Sequence, residues 1–129
     1  MDRGLTVEYL YHDADIVEVQ VSASNGHFAG SAAVYVGRHE RSESADVLTG
    51  FPTSRSDVRE LVWGAFGATY AGGAARLLFE CVDGAHHTRI SIQIEDADAR
   101  QSASFIAVVE PAGIDNFVPQ LKCIEQQLS

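Results

Sequence analysis

Residues 77–94 read Leu77-Leu78-Phe79-Glu80-Cys81-Val82-Asp83-Gly84-Ala85-His86-His87-Thr88-Arg89-Ile90-Ser91-Ile92-Gln93-Ile94, and this stretch decides the fold. Leu77, Phe79 and Cys81 alternate along one strand, Asp83-Gly84 marks a turn, and Ile90, Ile92 and Ile94 alternate along its partner. A four-residue loop from Asp83 to His86 sets Phe79 opposite Ile90 and Leu77 opposite Ile92. The same register brings Glu80 opposite Arg89 on the other face. Apolar pairs and a charge pair agree on one register, and a one-residue slip would reverse every side chain. An antiparallel hairpin with one buried face is therefore the seed of the fold.

Upstream the period-two pattern continues. Leu5, Val7, Tyr9 and Tyr11 share one face of a first strand, Asp13-Ala14-Asp15 turns the chain, and Val17, Val19, Val21 and Ala23 line a second. Asn25-Gly26 is a two-residue hairpin signal, after which Phe28, Gly30, Ala32, Val34 and Val36 alternate through a third. From His39 to Thr49 the alternation stops. Ala45, Val47 and Leu48 give the thin apolar stripe of a short helix that ends at Gly50-Phe51-Pro52. Val58 to Trp63 is a fourth strand, Gly64 to Gly73 a glycine-rich loop, and Ala103 to Val109 a last strand.

Beyond Pro111, Ile114, Phe117, Leu121, Ile124 and Leu128 recur at steps of three and four, the stripe of an amphipathic helix. Pro119 lies inside that pattern, so the helix kinks there or its regular part begins just before it. The predicted order is βββ-α-ββββ-α. It describes one α+β domain over residues 1–129, with a mainly antiparallel sheet of six or seven strands and the C-terminal helix packed on one sheet face. Val19, Val34, Leu77, Phe79, Ile92, Phe117 and Leu121 are expected in the core. The first strand is an edge with no evident protection, so a homodimer through an edge or an open sheet face is a reasonable expectation.

The 129 residues carry 18 acidic and nine basic side chains, a net charge of −9. No basic cluster exists to displace counterions from phosphates, so nucleic acid is not an expected partner. An anionic membrane surface would repel the chain for the same reason. The first residues lack a basic-then-apolar signal, no run is long enough to span a bilayer, and a cytoplasmic location with reduced thiols follows as the expectation.

Catalytic motifs are scarce. The loop from Gly64 to Gly73 leads into a strand and has no lysine nearby, unlike a phosphate loop. Cys81 and Cys123 lack metal spacing, and the adjacent His86 and His87 point apart on a strand, so neither a metal nor another cofactor is implied. Cys81 falls on an apolar face and Cys123 sits mid-helix beside Ile124, where a thiol is a small core residue rather than a nucleophile.

The charge is uneven: residues 1–37 carry −4, residues 38–79 are neutral, and residues 80–129 carry −5. The acids gather at Asp13, Asp15, Glu95, Asp96 and Asp98. That arrangement suits a basic protein partner, because complementary charge raises association rates. Plain solvated turns that serve solubility are the readier reading of the same residues.

Three short runs carry a resemblance: Phe28-Ala29-Gly30-Ser31-Ala32-Ala33-Val34-Tyr35-Val36, Leu48-Thr49-Gly50-Phe51-Pro52 and Tyr70-Ala71-Gly72-Gly73. Together they resemble small uncharacterised bacterial α+β domains, among whose similar families are ones regarded as immunity proteins of bacterial toxin systems. The resemblance implies the strand and helix order above and brings no catalytic residue with it. The leading expectation is a non-enzymatic protein-binding module, immunity-like, acting through an acidic surface. One alternative is a small-molecule-binding protein or enzyme with a pocket from Arg59, Trp63, Phe66, Tyr70 and Arg76. The other is a self-associating accessory subunit.

Overall fold

Alternating side chains and short turns give seven antiparallel strands, and these form two sheets rather than one. The computed structural model describes residues 4–37, 40–64, 66, 73–96, 101–110, 113–114 and 117–120. The strands are β1 (Gly4–His12), β2 (Ile16–Ser24), β3 (Ala29–Gly37), β4 (Val58–Gly64), β5 (Ala74–Cys81), β6 (Thr88–Glu95) and β7 (Ser102–Val109), with helix α1 (Glu40–Leu48) between β3 and β4. The first sheet has the order β1-β2-β3 and the second β4-β5-β6-β7. The protein is thus mostly β, with α1 and the helical residues 113–114 and 117–120 as its helical parts among those described.

The β5–β6 register is the one the sequence dictates: Leu77 pairs with Ile92, Phe79 with Ile90 and Glu80 with Arg89. Four of the hairpin turns begin with an Asp or Asn whose side chain closes them, as these short side chains do in turns. Asp13 Oδ1 accepts from the backbone N of Asp15 and Ile16, at 2.8 and 3.0 Å. Asn25 Oδ1 accepts from His27 N and Phe28 N, Asp83 Oδ1 from Ala85 N and His87 N, and Asp96 Oδ1 from Gln101 N.

Three local expectations change. The second turn is centred on Gly26-His27, one residue later than the Asn25-Gly26 signal, because Asn25 is still paired with Phe28 through a 3.0 Å N–O bond. A register shift between Tyr9 and Tyr11 breaks the first stripe. Such a bulge moves later side chains to the other face, and Tyr11 is exposed rather than buried. In α1, Ser44, Ala45 and Leu48 are buried while Val47 faces solvent.

β3 joins the two sheets by contacting all four strands of the second. Gly30 lies so close to Ala103 that an added Cβ would come within 3.0 Å of its Cβ. Ala33 O accepts from Gly73 N at 2.9 Å, and Val34 abuts Gly64 at the end of β4. Gly64, at φ +73°, and Gly73 approach each other too closely for side chains, since a Cβ on Gly64 would sit 2.2 Å from Gly73 O. Close backbone packing is what the two ends of the glycine-rich loop accomplish here.

The inward faces of both sheets meet in one core that includes Val19, Val34, Leu77, Phe79, Ile92 and Phe117. Phe51 and Phe117 contact Phe79 with ring centroids 6.1 and 6.4 Å away. Residues 113–114 and 117–120 are helical, so helix lies ahead of Pro119 as well as around it. Leu121, Cys123, Ile124 and Leu128 lie outside the described residues. Gln120 Oε1 accepts from Val7 N at 3.1 Å, which caps the outer edge of β1 that the sequence leaves bare. No helix among the described residues is long and apolar enough to cross a membrane.

Candidate functional site

β4 alternates between two jobs. Arg59, Leu61 and Trp63 face inward, and Val58, Glu60 and Val62 face outward. Trp63 is fully buried, and its indole N–H donates to Ser44 Oγ on α1 at 2.8 Å. Arg59 fastens the start of β4 to the end of α1. Its NH1 donates to Val47 O and Thr49 O at 2.7 and 2.9 Å, and its Nε and NH2 reach the Asp57 carboxylate. The guanidinium also lies 5.4 Å from the Phe51 ring centroid. The hydrogen bond from Arg59 holds the Asp57 carboxyl below the usual aspartate value, helped by Thr53 N–H. A cation at the helix C-terminus meets the negative end of the backbone dipole. Arg59 and Trp63 therefore bind the fold together.

Arg76 projects from the opposite face, where it is paired to Glu60 at 2.6 Å. The structure thus separates Arg76 from Arg59 and Trp63 by the thickness of the sheet. Phe66 is half-buried, and Tyr70 lies outside the described residues. Arg76 therefore shares no cavity with Arg59 and Trp63.

The acidic residues are also divided. Asp13 and Asp15 turn the chain beyond the Gly37 end of β3, since Ile16 pairs with Gly37. Asp96 lies beside Ala29, Gly30 and Ser31 at the other end. From Ser31 to Gly37 is about 20 Å at 3.3 Å per residue. Glu95 ends β6 beside Asp96, and Asp98 lies outside the described residues. No group of three or more His, Cys, Asp or Glu side chains converges among the described residues. Cys81 is a buried free thiol. His87 Nδ1 pairs with Asp83 at 2.8 Å within one turn, and the backbone N–H of His87 foremost holds the Asp83 carboxyl below its ordinary value.

The outward face of the second sheet is what remains. Strand pairing arranges it in rows: Val58, Glu80, Arg89 and Val108; Glu60, Leu78, Ser91 and Ile106; Val62, Arg76, Gln93 and Ser104. Within these three rows two anions and two cations cancel, and Glu95, in the next row of the same face, adds one negative charge. The edge strands β4 and β7 carry the exposed apolar groups, with Val58 at 55%, Ile106 at 54% and Val108 at 56% exposure. At the β7 side the tip of the β2–β3 hairpin comes round the sheet edge, where Asn25 Nδ2 donates to Ile106 O at 2.9 Å. Phe28 there is 65% exposed, although its place in the alternation suggests an inward side chain. It lies beyond the edge of β7 and so meets a cleft instead of the core. That cleft, of about 520 Å³, is lined by Asn25, Phe28, Arg76, Ser91, Gln93, Ser104 and Ile106. The sequence singles out Arg76 alone among these, because outward alternation looks the same on a solvated face and on a binding face.

Comparison with protein-family models, curated proteins and solved structures finds no match for this chain.

Proposed function

We infer that the protein is a non-enzymatic binding module for a basic protein partner, which it meets on the outward face of the second sheet. The supporting observation is the composition of that face: apolar side chains on both edge strands, and charges that cancel over its three central rows, in a chain of net charge −9. Interface centres are depleted of net charge and enriched in apolar and aromatic groups, and Phe28, Ile106 and Val108 supply those. The acidic turns at Asp13, Asp15, Glu95 and Asp96 act at longer range, raising the encounter rate of a cationic partner. An immunity-like role belongs to this reading, since blocking another protein requires a surface and no turnover.

Capture from a lysate of the source organism, at low and high salt, tests it. Charge reversal at Asp15 and Glu95 should slow association with little change in dissociation, and Ile106→Asp should speed dissociation. Capture that is indifferent to salt and to both sets of changes refutes the reading. So does turnover of any substrate that is lost on changing Arg59, Trp63 or Tyr70.

The cleft beside Phe28 favours a second reading, because small-molecule sites run from about 300 to 1,000 Å³. A ligand whose binding is lost in Phe28→Ala and Arg76→Ala would establish it. Light scattering distinguishes the self-associating subunit, which predicts a dimer at all working concentrations.

A further inference from the structure

A strand at the edge of a sheet directs unpaired N–H and C=O groups outward, where they template pairing with another chain. Sheets of three and four strands give this protein four such edges, and among the described residues three of them are stopped. On β1, Val7 N donates to Gln120 Oε1. On β3, Ala33 O accepts from Gly73 N. On β7, Asn25 holds Ile106 O, and His27 lies beside 106–109 with it.

β4 is different. The bond from Cys81 N to Asp57 O sets the phase of the β4–β5 ladder. Paired and unpaired positions alternate in an antiparallel ladder, so Arg59, Leu61 and Trp63 bond to β5 while Val58, Glu60 and Val62 aim their backbone groups at the free edge. No hydrogen bond meets those groups among the described residues. β4 has no proline, and its register with β5 is unbroken. Its one cation, Arg59, is engaged by α1 and Asp57 on the inward side.

We propose that β4 receives an extended segment of the basic partner by strand addition. The proposal rests on the binding-module reading and names where and how the partner is held. Cross-strand neighbours on one face are the unit of sheet stabilisation. An added strand would therefore set alternate side chains beside Val58, Glu60 and Val62, in the order apolar, basic, apolar. Glu60 is suited to the middle place. Both contacts from Arg76, at 2.9 and 2.6 Å, fall on Oε2, and Oε1 has no partner among the described residues. A lysine or arginine of the added strand can occupy it. A second copy of the chain fits less well. Two molecules of net charge −9 repel, and the two-fold pairing that uses all three outward residues sets two Glu60 carboxylates opposite each other.

The test is an amide NMR titration of the full chain with the capped peptide Thr-Val-Thr-Lys-Thr-Val-Thr. Two twins serve as comparisons: one with glutamate for lysine, and one N-methylated at the lysine amide. Shifts confined to Val58, Glu60, Val62 and their β5 neighbours, with at least tenfold weaker binding of both twins, are expected. Val62→Pro removes an N–H that bonds to nothing, a position where an edge strand tolerates proline, and should weaken the parent peptide at least tenfold. Glu60→Gln should bind the lysine and glutamate peptides alike. If Val62→Pro fails to fold, the N-methylated twin decides alone. Equal binding of that twin overturns the proposal, as do shifts centred on the Phe28 cleft. A concentration-dependent dimer abolished by Val62→Pro also overturns it, by giving the edge to a second copy. Cellular capture that survives Val62→Pro sinks strand addition and leaves the binding module standing, whereas peptide binding without any captured partner does the reverse.

Discussion

Replacing Arg59 should unfasten α1 from the second sheet, and its cost can be worked from the contacts. The guanidinium makes two hydrogen bonds to carbonyls at the end of α1, those of Val47 and Thr49. Bonds to a charged group contribute about 1.5–3 kcal/mol each, and the face of Phe51 adds about 0.5–1 kcal/mol. One side chain makes all of these, so they do not sum. A loss of about 3 kcal/mol is expected for Arg59→Ala, and roughly half of that for Arg59→Lys, which keeps the charge and loses the planar fork.

The effect has a pH signature. In the folded protein the Asp57 carboxyl lies below its ordinary value of 3.8 because Arg59 donates to it. A depressed carboxylate contributes stability above its unfolded value and loses it as pH falls through the folded one. The gap between wild type and Arg59→Ala should therefore be widest above about pH 5 and narrow below about pH 4. The carbonyl bonds and the Phe51 contact leave a residue of it in acid. Urea unfolding at neutral pH and at pH 3, with slopes compared, measures both effects. A difference within about 0.5 kcal/mol at neutral pH, the range of an ordinary surface change, would refute the fastening role, and a gap that widened in acid would refute the part assigned to Asp57.

Three further outcomes follow from the packing. Leu77→Ala empties a fully buried position between Leu61 and Ile92, and should cost about 2–5 kcal/mol in the same unfolding assay. Ser44→Ala strands the buried Trp63 indole N–H, which should cost about 1–3 kcal/mol. Trp63→Phe should then cost less in that background than in wild type. Gly73→Ala would bring a Cβ to 2.5 Å from Glu95 O and 2.9 Å from Ala33 O, for a loss of about 1–3 kcal/mol. Calorimetry should show it losing more than Gly50→Asn, which changes an open position at φ +79° to a residue that tolerates such angles.

The sequence reading was strongest where two patterns constrained one answer. In β5 and β6, the apolar alternation and the Glu80–Arg89 pair fix the same register, and the structure has it. Tyr11 shows the opposite case. A bulge leaves residue types unchanged while it reverses the faces, so nothing in Leu5 to Tyr11 announces it. The single expected sheet became two because alternation tells which face of a strand is buried and is silent about which strand lies alongside. The joint between the sheets is a matter of backbone approach at Gly30, Gly64 and Gly73, and a glycine that permits a turn looks the same in sequence as one that permits contact.

The candidate site was less legible for a related reason. Arg59 and Trp63 stand out in β4 because a cation and an indole are unusual there, yet both are held inside the fold. Val58 and Val62 look ordinary. Their interest comes from β4 being an edge, and edge status is a property of topology that no local pattern encodes. Phe28 departs from strand parity, which assumes that a facing sheet extends beneath every residue.

Neighbours in sequence are neighbours in space throughout both sheets, since each runs as a meander. Pairing within each sheet closes only short loops, and short loops form quickly. The costly closure is the docking of β3 onto the second sheet, which joins residues as distant as Gly30 and Ala103. This topology predicts two local assemblies and one later encounter between them. Nothing charged stands in Ala29–Gly37, so β3 itself brings no ion into that encounter. A charge introduced at buried Ala32 or Val34 would leave each meander able to assemble and hold the two apart.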